Sequence, residues 1–154
     1  DVGFYLCALV CCKRVAVMNH PVYDYRIHGS SSVQTATLKA LDCIGVFDDV
    51  TAFYRTRGVD AAMQNELLFD RMFHYLLWLD RLPRMKTKAE RRQICTAFEQ
   101  SRRKQDFSAV EARADIMSLV HTFDRKVKWR TWYESNAYAW LYRTARTVKH
   151  KLKR

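Results

Sequence analysis

The sequence predicts a mainly α-helical protein, with an apolar helix and two short β-strands followed by a bundle of long helices. Three observations carry that expectation. Only 4 Gly and 2 Pro among 154 residues leave too few chain reversals for a turn-rich sandwich or barrel. A hydrophobic content of 49%, with 13% aromatic residues, is enough for a packed core and argues against disorder. From about residue 33 onward, apolar residues recur at helical spacing in one segment after another.

Residues 2–14, VGFYLCALVCCKR, are apolar on nearly all sides and close on Lys13 and Arg14, charges that suit a helix C-terminus. They predict a helix covered by protein all round. The uncharged run is far shorter than the roughly 20 residues a bilayer-crossing helix needs. Residues 15–18 read as a short strand, Asn19-His20-Pro21 as a turn and 22–27 as a second strand. Two such strands make no stable sheet in water by themselves, so a sheet supplied elsewhere is expected to pair with them.

A first long helix is expected over about 33–57, on the spacing of Leu38, Leu41, Ile44, Val50 and Phe53, with Gly58 as its stop. A second covers about 60–82, with Asp60 as N-cap, Leu67, Leu68, Met72, Tyr75, Leu76 and Leu79 along it, and Pro83 at its end. A third spans about 87–104 with a basic face, and Thr87 with Glu90 has the spacing of a capping box. Asp106 or Ser108 opens a last helical region, broken near 121–124, that continues almost to the C-terminus.

Cys7, Cys11, Cys12, Cys43 and Cys95 have neither the paired spacing of a zinc site nor the density of a disulfide scaffold. They are expected to be reduced, mostly buried thiols of a cytoplasmic protein. The chain has no initiator Met and no basic stretch before its apolar run, so no signal peptide is assigned and further sequence is expected upstream.

The stretch HPVYDYRIHGSSSVQ, residues 20–34, combines strand and site features. With a period of two, Tyr23, Tyr25 and Ile27 share one face, and Val22, Asp24, Arg26 and His28 share the other. The plain alternative is an edge strand that turns through Gly29 and caps the next helix with a serine. The opening DVGF, the helix behind it and this strand together resemble the C-terminal part of family 2 glycosyltransferases, the A-type enzymes that use nucleotide-sugar donors. Asp1 and Phe4 match the Glu-Asp-x-x-Phe stretch of that family from its Asp onward. Lys13 and Arg14 match its basic stretch, and Pro21, Tyr23, Tyr25 and Arg26 match its Pro-x-Tyr-x-Tyr-Arg. Ser30, Ser31 and Ser32 stand where the family has a nearby Ser. The likeness covers about the first 35 residues.

The resemblance implies that residues 1–34 are the end of a catalytic domain, whose α/β donor-binding part lies outside this chain, and that 35–154 are a helical extension. It implies Asp1 as the general base that takes a proton from the acceptor hydroxyl. Arg26, His28, Ser30, Ser31 and Ser32 are implied to lie near the donor diphosphate or the acceptor. A divalent cation, Mg or Mn, is implied too, bound mainly by residues outside the chain, with His28 as the one candidate contact within it. Asp48-Asp49 lacks the intervening residue of an Asp-x-Asp metal motif. Each residue also has a plainer role: Asp1 as a helix N-cap, Arg26 as a partner of Asp24, Tyr23 and Tyr25 as core, and His28 as a solvated loop residue.

Residues 125–154 hold ten Lys or Arg and one acid, Glu134, so they supply +9 of the net +11. Trp129, Trp132, Tyr133, Tyr138, Trp140 and Tyr142 are interleaved with those charges. Trp140, Arg143, Arg146, Lys149, Lys151 and Lys153 are the candidate contacts to an anionic membrane surface or another anionic partner. The other possibilities are a terminal helix packed with a solvated basic face, and nucleic-acid binding, which ranks last because no nucleic-acid motif is present. The expected function is sugar transfer from a nucleotide-sugar donor to a cell-envelope or capsular polysaccharide or a lipid-linked acceptor, by a protein at the inner face of the plasma membrane. The rival is a non-catalytic helical module that recruits a membrane surface or an anionic partner.

Overall fold

A computed structural model describes the backbone of residues 2–20, 36–110 and 113–151, and the side chains of these except 109 and 147–151. The protein is mainly helical. Among the described residues seven α-helices follow one another: α1 (Val2–Cys11), α2 (Asp42–Thr56), α3 (Asp60–Leu79), α4 (Lys88–Arg103), α5 (Ala114–Lys128), α6 (Arg130–Tyr133) and α7 (Asn136–Lys151). Short 3-10 turns at Leu38–Leu41, Leu82–Arg84 and Ser108–Val110 connect them.

Local signals place the helix ends. Thr37 opens the first 3-10 turn by accepting the Lys39 N–H on its hydroxyl, and that turn runs directly into α2. At the other end of α2, Gly58 takes φ +66°, the left-handed conformation that costs a glycine nothing. The Gly58 N–H then reaches the Arg55 carbonyl and the Val59 N–H the Tyr54 carbonyl, which is the Schellman pattern. The capping box of α4 forms as the Thr87-x-x-Glu90 spacing predicts, with both reciprocal bonds at 3.1 Å.

The main core is built from one stripe on each of three helices. Helix α3 contributes Leu68, Met72, Tyr75, Leu76 and Leu79, α4 contributes Ile94, Cys95 and Phe98, and α5 contributes Ile116, Val120 and Phe123. Tyr75 stacks on Phe98 with ring centroids 4.4 Å apart, and its hydroxyl meets that of Ser101 at 2.7 Å. A smaller cluster of Leu6, Phe47, Val50, Tyr54 and Leu67 fastens α1 to α2 and α3.

Several sequence expectations change. Asp60 is the first residue of α3 and not its N-cap, which is Val59, and the helix expected from about 33 begins only with the turn at Leu38 and α2 at Asp42. Residues 15–18 are not a strand: they follow α1 in irregular backbone, with Val15, Val17 and Met18 exposed, and among the described residues there is no strand for them to pair with. The second expected strand, 22–27, lies outside the described residues. Helix α1 ends at Cys11 and is covered on one side only, with Leu6 its one buried residue. The break expected at 121–124 is absent from α5, because Phe123 continues the buried stripe of Ile116 and Val120. The chain turns instead around Trp129 and again at Glu134 and Ser135.

Candidate functional site

Asp1, Arg26, His28, Ser30, Ser31 and Ser32 all lie outside the described residues, as do Tyr23 and Tyr25. The described neighbour of Asp1 is α1, which starts at Val2. This helix has two apolar sides. One, through Leu6 with Val2, Cys7 and Val10 beside it, packs on Phe47, Val50 and Tyr54, and the Tyr54 hydroxyl donates to the Leu6 carbonyl at 3.1 Å. The other leaves Phe4 and Leu9 exposed, and beyond the exposed Lys13 and Arg14 the apolar Val15, Val17 and Met18 are exposed too. Cys11 and Cys12 are exposed as well, so the cysteines are not mostly buried. Burial pushes the Cys43 and Cys95 thiols up to about 12, which keeps both protonated and unreactive at neutral pH.

At the far end of the molecule, α7 crosses the Leu82–Arg84 turn. Ala139 is fully buried there, and the Arg84 guanidinium donates to the Tyr142 hydroxyl at 3.4 Å. Trp140 and Leu141, next to Ala139 in sequence, point away from this contact and are exposed. Arg143 bonds back to the Ala139 carbonyl at 3.0 Å, and Arg146 is half-buried. Lys149 and Lys151 lie in α7 with undescribed side chains, and Lys153 is outside the described residues.

Periodicity alone did not single out two buried arginines. Arg91 is fully buried on α4 and donates to the backbone carbonyls of Met85 and Glu134, both at 2.9 Å, and to the Asn136 side chain. Arg71 is buried on α3, pairs with Asp48 at 2.8 Å and lies over the Phe47 ring. It forms one wall of a recess of roughly 330 Å³ that Arg55, Asp60, Gln64, Lys104 and Asp106 also line. Three cations and two carboxylates mix in that lining, so the recess presents no field of one sign, and Arg71 already has its counter-charge. The signal for both residues was their position: each sits in the apolar stripe of its helix, where a charge has to find partners inside.

Among the described residues no three His, Cys, Asp or Glu side chains come together as metal ligands. No helix of the described residues is long and apolar enough to cross a membrane. Neither a family model, nor a curated protein, nor a solved structure matches the chain.

Proposed function

We propose that these residues are the C-terminal part of an inverting, metal-dependent glycosyltransferase of the family 2 type, acting on a polysaccharide or lipid-linked acceptor of the cell envelope. The observation that carries this is the combined spacing of Asp1 with Phe4, the apolar helix, Pro21-x-Tyr23-x-Tyr25-Arg26 and the serines after it. The two-sided apolar α1 supports it. A helix seated on the helical extension by one side, with an uncharged second side, suits a position between that extension and a donor-binding domain.

In this reading Asp1 removes the proton of the acceptor hydroxyl as its oxygen attacks the anomeric carbon of the donor sugar. The bond to the nucleotide diphosphate breaks on the opposite face, so the configuration inverts. Arg26 places two N–H groups on the diphosphate oxygens, and Ser30, Ser31 and Ser32 add donors to the same group. His28 lies close enough in sequence to contact the acceptor, the diphosphate or the cation. A Mg or Mn ion would be held mainly by residues outside this chain, with His28 as the one candidate contact within it, and would supply charge stabilisation to the leaving diphosphate.

Asp1→Asn in the full protein tests the assignment. Turnover of the nucleotide sugar should fall by a factor on the order of a hundred or more, with donor affinity nearly unchanged, as loss of a general base does. Turnover near that of the parent removes Asp1 from the mechanism, and no turnover by the parent protein itself leaves the non-catalytic helical module as the better description.

A further inference from the structure

The described part of α7 is turned the wrong way for a helix that faces water. Its core contact is made by Ala139, with Tyr142 beside it at Arg84. At helical spacing, Ala137, Trp140, Leu141, Thr144 and Ala145 form the opposite side, and all five are exposed and uncharged. A surface helix ordinarily presents charge there. Trp140 is 61% exposed and Leu141 47% exposed. The uncharged surface extends onto α6, where Trp132, also exposed, has its ring 5.6 Å from that of Tyr138.

The charge of this part of the sequence is nearly all of one sign. Residues 125–154 contain a single acid, Glu134, and Glu134 is buried to 2% exposure with one carboxylate oxygen lacking a protein partner. Asp80 and Glu99 come in from other elements, but each is paired, with Lys126 and Arg130 respectively. Arg143 is exposed next to this face, and residues 125–154 as a whole hold ten Lys or Arg against that single acid.

We propose that the Trp140–Leu141 side of α7, with Trp132 beside it, docks on an anionic lipid surface with the helix lying in the plane of the interface. Tryptophan and leucine enter the boundary between headgroups and acyl chains, and the surrounding cations meet the acidic headgroups. An uncharged face in a segment of such high positive charge fits a lipid surface better than it fits a nucleic acid, whose phosphates need charge and hydrogen-bond donors at the centre of the contact. This docking does not depend on the glycosyltransferase reading, because it uses no residue of that site.

The experiment is co-sedimentation of the protein with phosphatidylcholine vesicles, with or without phosphatidylglycerol, read together with tryptophan emission. The protein should pellet with the phosphatidylglycerol vesicles, shift its emission to the blue, and be released as salt is raised. Trp140→Ser combined with Leu141→Ser removes apolar side chains that the fold does not bury. Vesicle affinity should drop on the order of tenfold or more, with the melting transition unchanged. Equal binding to neutral and anionic vesicles, or undiminished binding by the double variant, overturns the proposal. So does binding to a single-stranded oligonucleotide in the absence of any binding to vesicles.

Discussion

Arg91 shows how a single residue changes meaning between sequence and structure. The helix at 87–104 was expected to carry a basic face, and Arg91 counts toward that face in any tally of charge. In α4 it stands instead in register with Ile94, Cys95 and Phe98 and is fully buried. Its three hydrogen-bonded partners all lie outside α4: the carbonyls of Met85 and Glu134 and the Asn136 side chain. Burial lowers its pKa, and Arg143 adds to that effect, yet a guanidinium starts so high that it stays charged at neutral pH. One side chain thus ties the start of α4 to the junction of α6 and α7. Arg91→Met keeps much of the volume but leaves two carbonyls unpaired, so urea unfolding should show a loss of about 3 kcal/mol. A loss below about 0.5 kcal/mol, the range of an ordinary surface change, would show that water replaces those bonds and that the residue is not structural.

Among the described residues, α1 packs on α2, and Tyr54 there joins packing to hydrogen bonding. Its ring lies in the small cluster with Leu6, and its hydroxyl answers the Leu6 carbonyl. Tyr54→Phe removes only that bond and should weaken the seating of α1 by about 1 kcal/mol. Hydrogen exchange should then quicken in α1 and remain unchanged in α3. Equal acceleration in both would mean that α1 is not a separate cooperative unit.

Legibility also sorts by element. The Thr87–Glu90 box, the Gly58 stop and the stripe of α3 were readable because each depends on residues within one or two turns of each other. The irregular backbone at 15–18 was not, because valines at strand spacing become a strand only beside a partner, and partners are a matter of the whole chain. The continuity of α5 was misjudged for a related reason: His121, Thr122 and Asp124 look polar in sequence, yet Phe123 between them is held in the core by α3 and α4. Of the site itself, the sequence supplied the motif and the described residues supply only the helix that adjoins it.

For the whole molecule, the decisive feature is apolar surface at both ends of a strongly cationic chain. One end carries Leu9, Val15, Val17 and Met18 exposed beside α1, and the other carries Trp129, Trp132, Trp140 and Leu141. The net charge of +11 opposes contact between copies at low ionic strength. Salt removes that opposition, since the screening length falls from about 10 Å at 0.1 M to about 3 Å at 1 M, while apolar contact is left intact. Self-association of residues 1–154 should therefore rise with salt, opposite to the salt dependence of vesicle binding, so the two behaviours separate in one titration. Sedimentation velocity should show a growing oligomer fraction, and a hydrophobic dye should bind at every salt concentration. Leu9→Ser with Val17→Ser should reduce both effects without lowering stability, because neither side chain is buried. A chain that stays monomeric throughout and binds no dye would mean that the α1 end is too dispersed to act as a surface. The two-sided character of α1 would then no longer support a domain seated against it.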